Sequence, residues 1–259
     1  MSNISRRSFL KLMFSIIGYP FVKPLLNLTC PPIVWYGKRN MRAVSLTFDD
    51  CYDYALLSCM ENFLDDHPNV KVTFFPTGIA LIQTSLKDPC IWKRFLIKGH
   101  EIGYHGYNHD MPSTMDLRQS TIDFEKWQET LTDVLGTATN VRFARPPYGD
   151  ISYNFLRVCC ENNLIVVMWS ANWSTSHLTD YREVYFAQGG DIVLFHVRAQ
   201  DVQNFQSVLP ILQNRSLDAV CLSDLLLDQE AKLDIHPASR EIEYETSSSS
   251  NRKARTWVR

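Results

Sequence analysis

The chain has 259 residues, 45% of them hydrophobic, which is enough for one large domain with a core of its own. A formal net charge of -2 excludes the basic footprint of a nucleic-acid binder. The cysteines, 7 in all, form no C-x-x-C pair, which argues against a structural zinc knuckle and for small buried hydrophobes.

The first segment reads as an address rather than as fold. Arg6 and Arg7 precede an apolar run from Leu12 to Val22 that Lys23 breaks. About eleven residues are too few to span a bilayer and suit the apolar region of a signal peptide. The pattern Ser5-Arg6-Arg7-Ser8-Phe9-Leu10-Lys11 resembles the twin-arginine export signal of bacteria. That resemblance implies a protein exported already folded, by the twin-arginine machinery, to the periplasm or cell envelope. Contact with the membrane is then expected only through residues 1–30. No clean A-x-A cleavage site follows, and export would carry the cysteines into an oxidising space.

Strand-like and helix-like segments then alternate. Ala43 to Phe48 is apolar and β-prone, and Tyr54 to Leu64 has helical spacing. Val70 to Phe75 reads as a second strand, and Pro89 to Ile97 as a helix closed by Gly99. A short strand over Glu101 to Tyr104 leads to a long amphipathic helix, Leu117 to Leu135, closed by Gly136. Further strands are expected at Val141 to Ala144, Leu164 to Trp169, Asp191 to His196 and Asp218 to Leu222. Helices are expected at Asn154 to Asn162, Tyr181 to Gln188, Val202 to Asn214 and Ser223 to Gln229. Such alternation is α/β and implies parallel strands. About seven βα units approach the size of a (β/α) barrel, although periodicity alone does not separate a barrel from an open sheet. In either case a site belongs at the C-terminal ends of the strands. Residues 31–230 form the folded region in this reading. Residues 231–259 are polar, with a serine run, and read as a disordered tail.

Polar groups gather at the predicted strand ends. Asp49 and Asp50 follow the first strand, His105 and His109 the EIGY segment, and Arg145 to Gly149 a later one. Asn172 and Trp173 follow the strand ending at Trp169, and His196 ends IVLF. One carboxylate with two histidines makes a three-ligand set that leaves positions open, the pattern of a catalytic metal site. A divalent cation also relieves the repulsion between Asp49 and Asp50, only one of which needs to be a ligand. Zinc suits His/Asp ligation, with Co, Ni, Mn and Fe as alternatives. Asp49 can then act as base, His196 as acid, and Arg145 as the group that neutralises and orients Asp49. The stiff Pro146-Pro147 turn can aim the Tyr148 backbone N–H at a developing oxyanion.

These residues resemble the polysaccharide deacetylases, the NodB-like carbohydrate esterases. The resemblance runs from about Val34 to Leu227 through TFDDC (47–51), HGYNH (105–109), RPPYG (145–149), WSANW (169–173) and LFH (194–196). It implies a distorted (β/α) barrel and metal-dependent removal of N-acetyl groups from an amino-sugar polysaccharide such as peptidoglycan or a chitin-like glycan. By position, Asp49 matches the base, Asp50, His105 and His109 the metal ligands, Arg145 the holder of the base, Tyr148 the oxyanion amide and His196 the acid. An O-acetyl xylan-type esterase on the same site, or a weakly catalytic glycan-binding protein on the same scaffold, are the alternative readings. Two departures stand out. Cys51 replaces a glycine whose turn favours positive φ, which cysteine tolerates poorly, so the expectation is either an altered turn or a thiolate close enough to bind a metal. Asn172 stands where the family has an aspartate that orients the acid; an amide can fix the His196 ring but offers its imidazolium no charge.

Overall fold

The computed structural model describes residues 32–226 except 175, 176 and 179. The export-signal segment, the C-terminal tail and the last residues of the final expected helix lie outside the described residues. No helix among the described residues is long and apolar enough to cross a membrane.

Two parallel sheets curve around a shared interior. The larger has the order β4-β3-β2-β8-β7, formed by Glu101–Ile102, Val72–Pro76, Ala43–Asp50, Ile192–His196 and Ala171–Asn172, and β9 (Asp218–Ala219) pairs with the start of β2. The smaller has the order β1-β6-β5, formed by Ile33–Val34, Ile165–Val167 and Phe143–Ala144. A single parallel bridge from Tyr104 to Ala144 joins β4 to β5, and an antiparallel bridge from Tyr36 to Asp191 ties the chain after β1 to the start of β8. The ring is thus a barrel closed by bridges where full ladders are missing, the distorted barrel expected from the resemblance. The helices are α1 (Tyr54–Asp65), α2 (Gly78–Ser85), α3 (Ile91–Ile97), α4 (Leu117–Leu135), α5 (Tyr153–Glu161), α6 (Ala199–Asn214) and α7 (Leu222–Leu226).

Period-2 alternation in β2 sorts its side chains between two cores. Val44, Leu46 and Phe48 join the larger core, which includes Leu57, Met60 and Leu64 of α1 and Phe205, Val208 and Leu212 of α6. Ser45, Thr47 and Asp49 occupy the other face, and all three are buried. Ala43 joins a second core with Phe75, Phe143, Val167, Ile192 and three leucines of α7. A polar row therefore runs along one face of β2 from Ser45 through Thr47 to Asp49.

Some elements differ from expectation. The strand expected to stop at Phe48 continues through both acids, because Asp49 and Asp50 pair with Phe75 and Pro76 of β3. Helix α2 was not anticipated; Thr77 caps it by accepting from the Ala80 N–H at 3.1 Å. The segment expected as a helix over Tyr181 to Gln188 is a 3-10 helix over Tyr181–Phe186. Helix α4 matches its expected bounds: Asp116 and Gln119 form a capping box, and Gly136 closes it with φ 66°.

Candidate active site

Three loops bring the site together at the C-terminal ends of β2, β4 and β5. Asp50 Oδ1 lies 3.2 Å from His109 Nε2 and 3.7 Å from His105 Nε2, and the three ligand atoms lie within 4.8 Å of one another. A tetrahedral ion with bonds of about 2.1 Å sets its ligands roughly 3.4 Å apart, so these spacings fit one. Asp50 Oδ1 is buried and has no hydrogen-bond partner among the described residues. A buried carboxylate oxygen without a donor is costly, and a cation meets that need. The Nδ1 of His105 faces the Arg145 carbonyl at 2.8 Å, which directs Nε2 to the cluster in the manner of an outer-shell partner. Arg198 Nη2 donates to the other oxygen of Asp50 at 3.2 Å.

Asp49 stands behind this cluster, one residue earlier on β2. Its Oδ1 accepts from Arg145 Nη1 at 2.8 Å, and its Oδ2 is 3.8 Å from His105 Nε2. Arg145 is fully buried and spends its donors on Thr47 Oγ1 at 2.7 Å, the Val167 carbonyl at 3.1 Å and the Met168 carbonyl at 3.0 Å. Its guanidinium carbon also sits 4.4 Å over the Phe75 ring. Burial alone would raise the Asp50 carboxyl, but the imidazoles of His105, His109 and His196 outweigh it and hold it well below the usual carboxylate range. Burial disfavours a charged His105, yet Asp49, Asp50 and the Arg145 carbonyl raise its proton affinity. Burial and the neighbouring His105 lower that of His109.

Strain concentrates here. Among the described non-glycine residues, positive φ occurs at Asp50 (70°), Cys51 (65°), His109 (67°) and Tyr148 (60°), and elsewhere only at Asn163 and Ser216. The expected alteration of the turn at Cys51 is therefore not found: cysteine keeps the left-handed conformation, at a cost of about 1–2 kcal/mol. Its thiol is fully buried, burial together with Asp50 and Asp49 pushes its pKa well above the ordinary range, and it is not one of the three clustered groups. Cys51, Cys59, Cys90, Cys159 and Cys221 are free thiols. In the Pro147–Gly149 turn, the Gly149 and Asp150 amides bond back to Pro146 and Pro147. The Tyr148 amide has no acceptor among the described residues, and its ring lies 4.4 Å from that of His109.

Asn172 is not brought to His196. The register sets Asn172 beside Leu194, two residues short of His196 on β8, or about 7 Å along the strand. Its Oδ1 instead accepts from the Ser174 hydroxyl at 2.7 Å and the Ser174 N–H at 3.2 Å. His196 Nδ1 faces Asp201 Oδ2. Asp201 and Arg198 escaped the sequence reading, as did Asp123, which accepts the Tyr107 N–H and the Tyr104 hydroxyl and so anchors the loop between the two histidines. An aspartate three residues into a helix is a legible signal, but the helix was expected to begin one residue too late to include Asp201.

The polysaccharide deacetylase family model matches residues 36–166. The chain belongs to this family. A peptidoglycan-N-acetylglucosamine deacetylase of Bacillus cereus is 36% identical over 136 residues, covering 52% of this chain and 47% of that protein. The chain thus spans less than half the length of that relative. A second Bacillus cereus protein of the same description is 28% identical over 214 residues, covering 75% of this chain and 92% of its own. Among solved polysaccharide deacetylases, the Bc1960 peptidoglycan N-acetylglucosamine deacetylase in complex with an N-hydroxybenzamide superposes with a TM-score of 0.66 at 28% identity. That match covers 78% of this chain and 96% of the other.

Proposed function

We propose that this chain is a metal-dependent hydrolase that removes N-acetyl groups from an amino-sugar polysaccharide, with peptidoglycan foremost. The observation that carries the reading is the donorless Asp50 Oδ1, converging with two imidazole nitrogens beside an arginine-paired carboxylate. The Bacillus cereus relatives support the substrate class.

Asp50, His105 and His109 are the residues to hold the ion, and an Asp/His/His set suits zinc over Co, Ni, Mn or Fe. When bound, the ion supplies positive charge for the acetyl carbonyl and lowers the pKa of water toward roughly 7. With Oδ1 tied to Arg145, Asp49 takes a proton from the attacking water on Oδ2. The Tyr148 N–H, held by two prolines, donates to the carbonyl oxygen as charge builds there. His196 hands a proton to the leaving amine. Arg145 holds Asp49 and does not touch substrate. The paired Arg6 and Arg7 support export by the twin-arginine machinery to the cell envelope, with residues 1–30 as signal or anchor, 31–230 as catalytic domain and 231–259 as tail.

The test is acetate release by the full chain from peptidoglycan, a chitin oligomer and acetylated xylan, with zinc and with chelator. Chelator-sensitive acetate from peptidoglycan or chitin is the expected result. Acetate from xylan alone would move the reading to ester cleavage. Metal binding without acetate from any of the three would leave a glycan-binding protein.

A further inference from the structure

We propose that Asp201 is the positioning residue for His196, taking the place that sequence assigns to Asn172. The inference rests on the reading of His196 as the proton donor. Asp201 is fully buried in the first turn of α6, where a carboxylate requires partners. Its Oδ2 accepts the His196 backbone N–H at 2.8 Å and lies 3.3 Å from the ring Nδ1. One oxygen thus holds both the backbone and the ring of the same histidine. An oxygen that already accepts the backbone N–H is placed to accept from Nδ1 as well, which leaves Nε2 as the basic nitrogen of the neutral ring.

The position has two further advantages over residue 172. Asp201 sits near the N-terminal end of a helix of 16 residues, where the partial positive charge of the backbone favours a carboxylate. It is also only five residues from His196, across the short β8–α6 connection, so the two are carried by one local turn. Asn172 belongs to a neighbouring strand, faces Leu194 in register and has its carbonyl oxygen engaged by Ser174. The amide at 172 therefore does not leave His196 without a carboxylate.

Two measurements on the full chain loaded with zinc test the assignment. The first needs no substitution: 15N NMR of the His196 ring at pH 9, assigned by its loss in His196→Gln. A single Nδ1–H tautomer is expected, and an Nε2–H tautomer would overturn the proposal. The second compares kinetics on the acetylated substrate. Asp201→Ala is expected to lower kcat about 100-fold, the scale of a small misplacement of a reacting group, with KM within twofold. Its ring should also become a mixture of tautomers. Unchanged kcat in folded, zinc-bound Asp201→Ala, or a comparable loss in Asn172→Ala alone, would refute it. Should the wild-type chain release no acetate, the functional reading fails by itself, and the tautomer still decides the Asp201 assignment.

Discussion

Arg145 gives the sharpest energetic test of the site. Replacing it with methionine keeps much of the volume but strands Asp49 in a buried place with no cation. Breaking one side of a buried ion pair costs about 3–5 kcal/mol. The Val167 and Met168 carbonyls lose their donors too, at about 1–3 kcal/mol each where nothing replaces them. A loss of at least about 5 kcal/mol is expected, against a total of about 5–15 kcal/mol for an ordinary domain. Most of the first cost comes from the orphaned charge, so Arg145→Met/Asp49→Asn should be more stable than Arg145→Met by about 2 kcal/mol, although both are inactive. Urea unfolding followed by circular dichroism measures this, with an unchanged m-value as the check that only stability moved. A loss below about 1 kcal/mol in Arg145→Met, or a double variant no more stable than the single, would refute the argument that the pair is both buried and mutually dependent.

Three further outcomes follow from the geometry. His109→Ala should weaken zinc binding, read by calorimetry, by more than the roughly 10–100-fold that loss of an outer-shell partner costs, and an unchanged affinity removes His109 from the ligand set. Asp123→Ala should weaken it by about tenfold by loosening the loop between the histidines, while wild-type affinity would show the loop to be held by other contacts. His100 is buried and pushed down to about 4, chiefly by burial and then by Lys71 and Lys98, and its Nδ1 accepts the Val72 N–H. The unfolded chain therefore takes up this proton near pH 6.5, before the folded one does, and stability falls as pH drops from there to about 4, by about 3 kcal/mol. His100→Asn keeps an acceptor without titrating and should flatten that part of the urea-midpoint profile; a parallel profile would assign the slope to other groups.

Legibility in the sequence tracked how local the cause was. Helix α4 carries its own start and stop, Asp116 with Gln119 and then Gly136, and could be bounded to the residue. Helix α2 has a capping Thr77 but follows directly on β3, which ends at Pro76, and its 8 residues from Gly78 are too few for a helical period to stand out. Strand β1 has only two residues, too few for any period to show. The ligand cluster was legible because its members sit at strand ends that the α/β alternation already marks. The separation of Asn172 from His196 was not, because it depends on β7–β8 register, which no single segment encodes. Asp201 was hidden by an offset in one helix start, from Ala199 to Val202.

Strand β2 lies between β3, about twenty residues downstream, and β8, whose Val193 carbonyl accepts from the Thr47 hydroxyl 146 residues away. During synthesis the acid pair, both histidines and Arg145 all emerge before β8 does. Until β8 arrives, one side of β2 is an open edge that displays Val44, Leu46 and Phe48 without the α6 residues that cover them. Such distant pairing makes for slow folding, and the nascent chain meets its greatest aggregation risk in that interval. The strand that carries the acid pair is not flanked on both sides until β8 arrives, so a chain cut short before residue 192 can own every proposed metal ligand and still have no barrel to hold them.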